Sequence, residues 1–108
     1  MEAPAVLRQG DNNLLFFSGN RWDSTAYAIG YAHCAGPLGP CQQAAGPWIA
    51  SQGQVHGPGG ADVFRDTHDR PWMVFHAWIG PVGYPRGARS LLVVAINVTD
   101  GKPTITQH

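Results

Sequence analysis

One short pattern occurs twice in this chain, and the repetition limits the folds open to it. Val6-Leu7-Arg8, the turn QGDNN and the run LLFFSGN return as Val63-Phe64-Arg65, the turn DTHDRP and the run WMVFHAW, with one extra residue in the second turn. A third apolar run follows each copy after a longer loop, YAIGYAH in the first and SLLVVAINV in the second. These runs are short, β-branched or aromatic, and bounded by Gly, Pro, Asn or Asp, which is strand chemistry. The turns supply Gly, Asp and Asn where a hairpin needs positive φ or side-chain caps. With 14 Gly and 9 Pro scattered along the chain, no segment sustains a helical period. The chain therefore reads as all-β: two copies of a three- or four-stranded antiparallel meander, about residues 1–54 and 55–108, within one domain. Repeats of this size built from four short strands are characteristic of β-propeller blades, so two of them make a partial or half propeller. A sandwich of two sheets is the alternative.

Seven acidic and seven basic residues cancel, so charge points neither to nucleic acid nor to an anionic membrane. The opening residues are not a basic, apolar signal segment, and no apolar run approaches the roughly 20 residues that span a bilayer. Cys34 and Cys41 flank the loop AGPLGP, a spacing wrong for CxxC redox or zinc motifs. A Gly/Pro turn could bring the two sulfurs within bonding reach, the other reading being two buried thiols. A Cys34–Cys41 disulfide would put the parent protein in an oxidising compartment, secreted or extracellular, with its export signal outside this chain.

So few ionisable groups can be weighed one by one. Asp66 and Asp69 resemble a carboxylate pair, yet at a hairpin tip they read as caps for backbone groups. Arg8 and Arg65 occupy matching places in the two copies, and Asp100-Gly101-Lys102 reads as a turn. His33, His56, His68 and His108 fall on strand, loop, turn tip and terminus without ligand spacing, so no metal site is expected. Equivalent places in the copies are richer. In a hairpin the start of one strand lies beside the end of its partner, which gathers Glu2, Ser18, Asn20, Trp22, Gly59, Gly60, His76 and Trp78 on one rim. An acid, amides, a histidine and indoles together suit carbohydrate, because indole faces stack on sugar rings while carboxylate and amide groups bond hydroxyls.

The stretches EAPAVLRQGDNNLLFFSGNRW, YAIGYAHCAGPLGPC, GPGGADVFRDTHDRPWMVFHAW and GARSLLVVAI resemble, in order, the C-terminal part of glycoside hydrolase family 43. That family comprises five-bladed propellers that hydrolyse arabinose- and xylose-containing plant polysaccharides with inversion. The resemblance implies an arabinofuranosidase or xylosidase acting on hemicellulose. It places Glu2, in the family's E-[AG]-P motif, as the general acid that protonates the leaving glycosidic oxygen. It makes Asn20, Trp22, His76, Trp78 and Arg89 substrate contacts, with Arg89 resembling the arginine that points into the sugar pocket. His76 has a structural reading as well, as a hydrogen-bonded core residue.

The departures carry equal weight. The family takes its general base and an aspartate that tunes the acid from blades preceding the acid, so one chain holds half of the mechanism. No cofactor is required, and calcium binding is in question because Gly60 stands where many members carry a histidine. Two blades also leave open strand edges and uncovered faces, so a homo-oligomer is expected. The alternative function is a catalytically silent fragment that binds pentose-containing glycans.

Overall fold

A computed structural model of the chain describes residues 2–106. Eight strands form in chain order: β1 (Glu2–Gln9), β2 (Asn12–Gly19), β3 (Ala28–Cys34), β4 (Cys41–Gln43), β5 (Val55–Arg65), β6 (Pro71–Ile79), β7 (Arg89–Thr99) and β8 (Lys102–Thr106). They make two four-stranded antiparallel sheets in the simple orders β1-β2-β3-β4 and β5-β6-β7-β8. Each sheet is a meander of the kind that builds a propeller blade.

Alternation decides how the sheets meet. Leu7, Leu14, Phe16 and Ile29 project from one face of the first sheet, and Met73, Phe75, Val94 and Ile96 from one face of the second. All are buried, and they close on one another as a single core. Strand β5 lies at the seam, in contact with β1, β2 and β3 of the first sheet. Burying a core side chain of this kind contributes about 1.5–3 kcal/mol, so the shared face is what joins the two blades. The opposite faces are uncovered. Val6 is 56% exposed on the first sheet, and Leu91 and Val93 are 76% and 51% exposed on the second.

The turns follow their chemistry. Asp100 (φ 53°) and Gly101 (φ 75°) both take the left-handed conformation that a two-residue hairpin between β7 and β8 requires. At the β5–β6 tip, Asp66 Oδ1 accepts from the backbone N–H groups of His68 at 2.8 Å and Arg70 at 3.0 Å, and Oδ2 accepts from Trp72 Nε1 at 2.8 Å. These bonds, the one from Arg70 foremost and then that from Trp72, hold the Asp66 carboxyl down at about 2. Asp66 is thus a cap, bonded three times within its own turn. Arg65 Nη2 donates to the carbonyl of Arg8, so the matching arginines of the two copies meet across the seam.

Two features go beyond the strand limits read in the sequence, and the cysteines take the bonded one of their two readings. Strand β5 begins at Val55 and absorbs His56 and the Gly57-Pro58-Gly59-Gly60 stretch, with register shifts on either side of Gly59. Strands β4 and β8 complete each meander although neither carries a strong apolar pattern. Cys34 and Cys41 are direct cross-strand partners of β3 and β4 and form a disulfide. His108 lies outside the described residues.

Candidate functional site

The site lies on the rim where β1 starts, β2 ends and β3 begins. Glu2 opens β1 opposite Ser18 of β2, and an irregularity between Glu2 and Ala5, with Ala3 at φ 53°, sets the acid apart from the regular ladder. Its carboxylate is exposed, yet Oε1 accepts a hydrogen bond from Tyr27 Oη at 2.7 Å. Tyr27 sits just before β3 with only 2% of its surface exposed. Burial, and then the bond to Glu2, push its phenol above the usual range, so it remains a neutral donor.

The second sheet enters through its glycines. The N–H of Gly60 donates to Ser18 Oγ at 2.9 Å, tying the rim of one blade to the other. A Cβ at Gly59 would stand 1.9 Å from Tyr27 Cε2, and one at Gly60 2.1 Å from His76 Nε2. The missing side chains are therefore the space into which the phenol and the imidazole pack.

Arg89, first residue of β7, joins the remaining pieces. Its Nε donates to His76 Nδ1, Nη1 to the carbonyl of Trp22 at 3.1 Å, and Nη2 to the carbonyls of Gly57 at 2.9 Å and His76 at 2.7 Å. Its guanidinium carbon lies 5.3 Å from the ring centre of Trp78 and 5.6 Å from that of Tyr27. Burial, and then the adjacent Arg89 charge, lower the His76 pKa, which keeps the imidazole neutral and able to accept from Nε. Arg89 is thus held by protein acceptors on the rim where the sequence placed a sugar contact.

Trp78 is also corrected. Its ring has no exposed surface, and its Nε1 donates to the Trp22 carbonyl at 3.0 Å. A buried indole offers no face to a ligand. Trp78 instead supports Trp22, whose ring lies 6.0 Å away at 20° and is 45% exposed. Tyr84, which sequence reasoning missed, packs edge-on against Trp78 and is 67% exposed beside Trp22. Asn20 (φ 70°) turns the chain at the end of β2, and its Nδ2 donates to the Ala26 carbonyl at 3.1 Å, bracing the loop that carries Trp22. Asn20, Trp22, His76, Trp78 and Arg89 therefore form one connected unit, joined to Glu2 through Tyr27.

Among the described residues, no group of three or more His, Cys, Asp and Glu is placed to hold a metal ion. At His76 the Arg89 guanidinium already occupies Nδ1, so that nitrogen is not open to a cation. A groove of about 460 Å³ lined by Asn12, Tyr31, His33, Gln42, Asp100 and Lys102 among others opens at the far end of the strands from Glu2.

The model of glycosyl hydrolases family 43 matches residues 1–103. The chain belongs to this family. Among solved structures it is similar to a thermostable family-43 glycoside hydrolase, at 25% identity and a TM-score of 0.82, over 99% of this chain and 35% of that one. An endo-1,4-beta-xylanase from Bacteroides thetaiotaomicron matches at 22% identity and a TM-score of 0.81, over 99% of this chain and 38% of that one. The alpha-L-arabinanase of Cellvibrio cellulosa matches at 18% identity and a TM-score of 0.76, over 95% of this chain and 36% of that one. The family-43 fold therefore accounts for both sheets as propeller blades, and the chain spans little more than a third of each of these three structures. Among curated proteins, none matches the chain in sequence.

Proposed function

We propose that this chain carries the acid half of a family-43 glycosidase that hydrolyses arabinofuranosyl or xylosyl linkages in plant polysaccharides. The observation that carries the reading is Glu2, the only glutamate in the chain, exposed on a rim and gripped by a buried tyrosine. In an inverting hydrolysis a protonated carboxyl gives its proton to the leaving oxygen while a carboxylate about 6.5–9.5 Å away takes one from the attacking water. Glu2 supplies the first group. The second must come from outside the rim described above. Asp23 is committed to Arg21, with contacts of 3.0 and 3.1 Å, and Asp62 Oδ1 accepts from the N–H of Val63. Activity then requires association, either with further blades or with copies of this chain, and the uncovered Val6, Leu91 and Val93 give that association apolar surface. The disulfide agrees with a secreted parent, and no helix of the described residues is long and apolar enough to cross a membrane.

Glu2→Gln keeps size and hydrogen-bonding reach but delivers no proton. Turnover of aryl arabinofuranosides or xylosides should fall about 10²- to 10⁴-fold, and less where the leaving group is good. Undiminished hydrolysis with both good and poor leaving groups would remove Glu2 from the mechanism. The absence of a partner carboxylate from this rim favours a second reading, a silent chain that binds pentose-containing glycans. In that case Trp22→Ala should weaken binding by about 1 kcal/mol through lost stacking, and Glu2→Gln should change only local affinity.

A further inference from the structure

We propose that Tyr27 is a positioning residue for the acid, holding Glu2 Oε1 as a permanent hydrogen-bond acceptor so that Oε2 is the oxygen that carries and delivers the proton. The inference rests on the acid role proposed above and assigns the two carboxyl oxygens different work. In a neutral carboxyl group the carbonyl oxygen is the better acceptor, so a donor fixed at Oε1 makes that atom the carbonyl and leaves the hydroxyl on Oε2. During transfer the Oε2–H bond breaks and its electron pair stays on Oε2. The proton bonds to the glycosidic oxygen, which also takes the pair from the breaking C1–O bond. Glu2 ends as a carboxylate still accepting from Tyr27, so one hydrogen bond serves both states without rearrangement.

The direction of that bond follows from its neighbours. A backbone N–H can only donate, and the N–H of Gly60 spends itself on Ser18 Oγ. A carboxylate can only accept, so the Tyr27 hydrogen goes to Glu2 Oε1. The phenol is also held in place. Gly59 leaves no Cβ beneath its ring, and Arg89 from β7 lies over it at 5.6 Å. His76 from β6, kept neutral by burial and by Arg89, is the other titratable side chain facing this cluster. Gly59 and Arg89 of the second blade thus hold the phenol that donates to the acid of the first.

Because Glu2 is the only glutamate, [13Cδ]glutamate labelling gives one carboxyl signal. In a one-to-one mixture of H2O and D2O, the buried Tyr27 hydroxyl should exchange slowly and split that signal into protonated and deuterated lines. Tyr27→Phe should collapse it to one. A single glutamate line in the unsubstituted protein, under conditions where the Tyr27 Cζ signal is itself split by slow hydroxyl exchange, would overturn the hydrogen bond. In hydrolysis, Tyr27→Phe should lose about 10- to 100-fold on substrates with poor leaving groups and less than about 3-fold on good ones. An equal loss on both would mark Tyr27 as merely structural and overturn its positioning role, leaving the acid reading intact. If Glu2→Gln hydrolyses both classes as well as the unsubstituted protein, the acid reading fails and the assignment of Oε2 fails with it, whatever the splitting shows.

Discussion

Replacing Arg89 should loosen the rim far more than replacing an ordinary half-exposed side chain. Its guanidinium makes four hydrogen bonds to three segments: the Trp22 loop, β5 through Gly57, and β6 through the carbonyl and ring of His76. A hydrogen bond from a charged donor contributes about 1.5–3 kcal/mol net, but four such values do not add here. The Trp22 carbonyl keeps its bond from Trp78 Nε1, and water reaches part of the site. The loss that remains is dominated by Gly57, whose buried carbonyl has Arg89 as its side-chain donor. We therefore expect Arg89→Met to cost about 2–4 kcal/mol, a large share of the roughly 5–15 kcal/mol that holds a domain together. Arg89→Lys should recover little, because an ammonium cannot reproduce a planar fork aimed at several acceptors. Urea unfolding followed by tryptophan fluorescence should show midpoints lowered by about 1–3 M in Arg89→Met, and nearly as far in Arg89→Lys. The pH dependence gives a second check. The His76 pKa is lowered in the folded state, so its contribution is fully present above the unfolded value near 6.5 and is lost as pH falls below it. Removing Arg89 takes away part of that lowering and should narrow the acid-sensitive range. A Met or Lys variant within about 0.5 kcal/mol of the unsubstituted protein would refute the idea that Arg89 ties these segments together.

Asp66 gives a separate acid sensitivity. Its carboxyl is held at about 2, so its contribution is complete above the ordinary 3.8 and is lost as pH falls from there toward 2. Asp66→Asn should flatten the unfolding midpoint against pH across that window. Association should appear in sedimentation as a dimer or larger species at micromolar concentration. A stable monomer at that concentration would show that the exposed Val6, Leu91 and Val93 need no cover.

The architecture was legible because strand alternation and turn chemistry agree in both copies. Leu14 and Phe16, two residues apart, had to share a face, and Asp100-Gly101 had to turn. The short strand Cys41–Gln43 was hard to see, since CQQ is exposed at all three positions and is held by pairing with β3 and by the disulfide rather than by an apolar face. Within the site, hairpin geometry brought Glu2 to Ser18 and Gly59 to His76 from the sequence alone. Tyr27 escaped because it reads as the first residue of the run YAIGYAH, whereas β3 starts one residue later and leaves the phenol outside the ladder. One signal could have found it: a tyrosine beside a buried strand needs a partner for its hydroxyl, and the chain has one glutamate to offer on that rim. Trp78 misled for the opposite reason. A tryptophan at the end of a strand can face either solvent or a neighbouring loop, and only the fold decides.

The GPGG stretch shows how one local departure can reorganise a site. Its glycines look like a loop before a strand at Ala61, yet they run within β5 because three neighbours need the room. A Cβ at Gly57 would meet the Ser24 carbonyl at 2.2 Å, one at Gly59 the Tyr27 ring, and one at Gly60 the His76 ring. Gly57 and Gly60 also take φ of +56° and +65°, where a side chain is strained, whereas Gly59 is required for space alone. At Gly60 the two demands coincide. A side chain there and the imidazole of His76 cannot occupy this geometry together, so glycine at 60 and histidine at 76 amount to a single choice. Making it brings a neutral imidazole to the rim, gives Arg89 an acceptor for Nε, and leaves the guanidinium to secure the Trp22 loop. Glycine at 60 therefore shapes the rim through what it admits, an imidazole that gives a protein-bound arginine its acceptor.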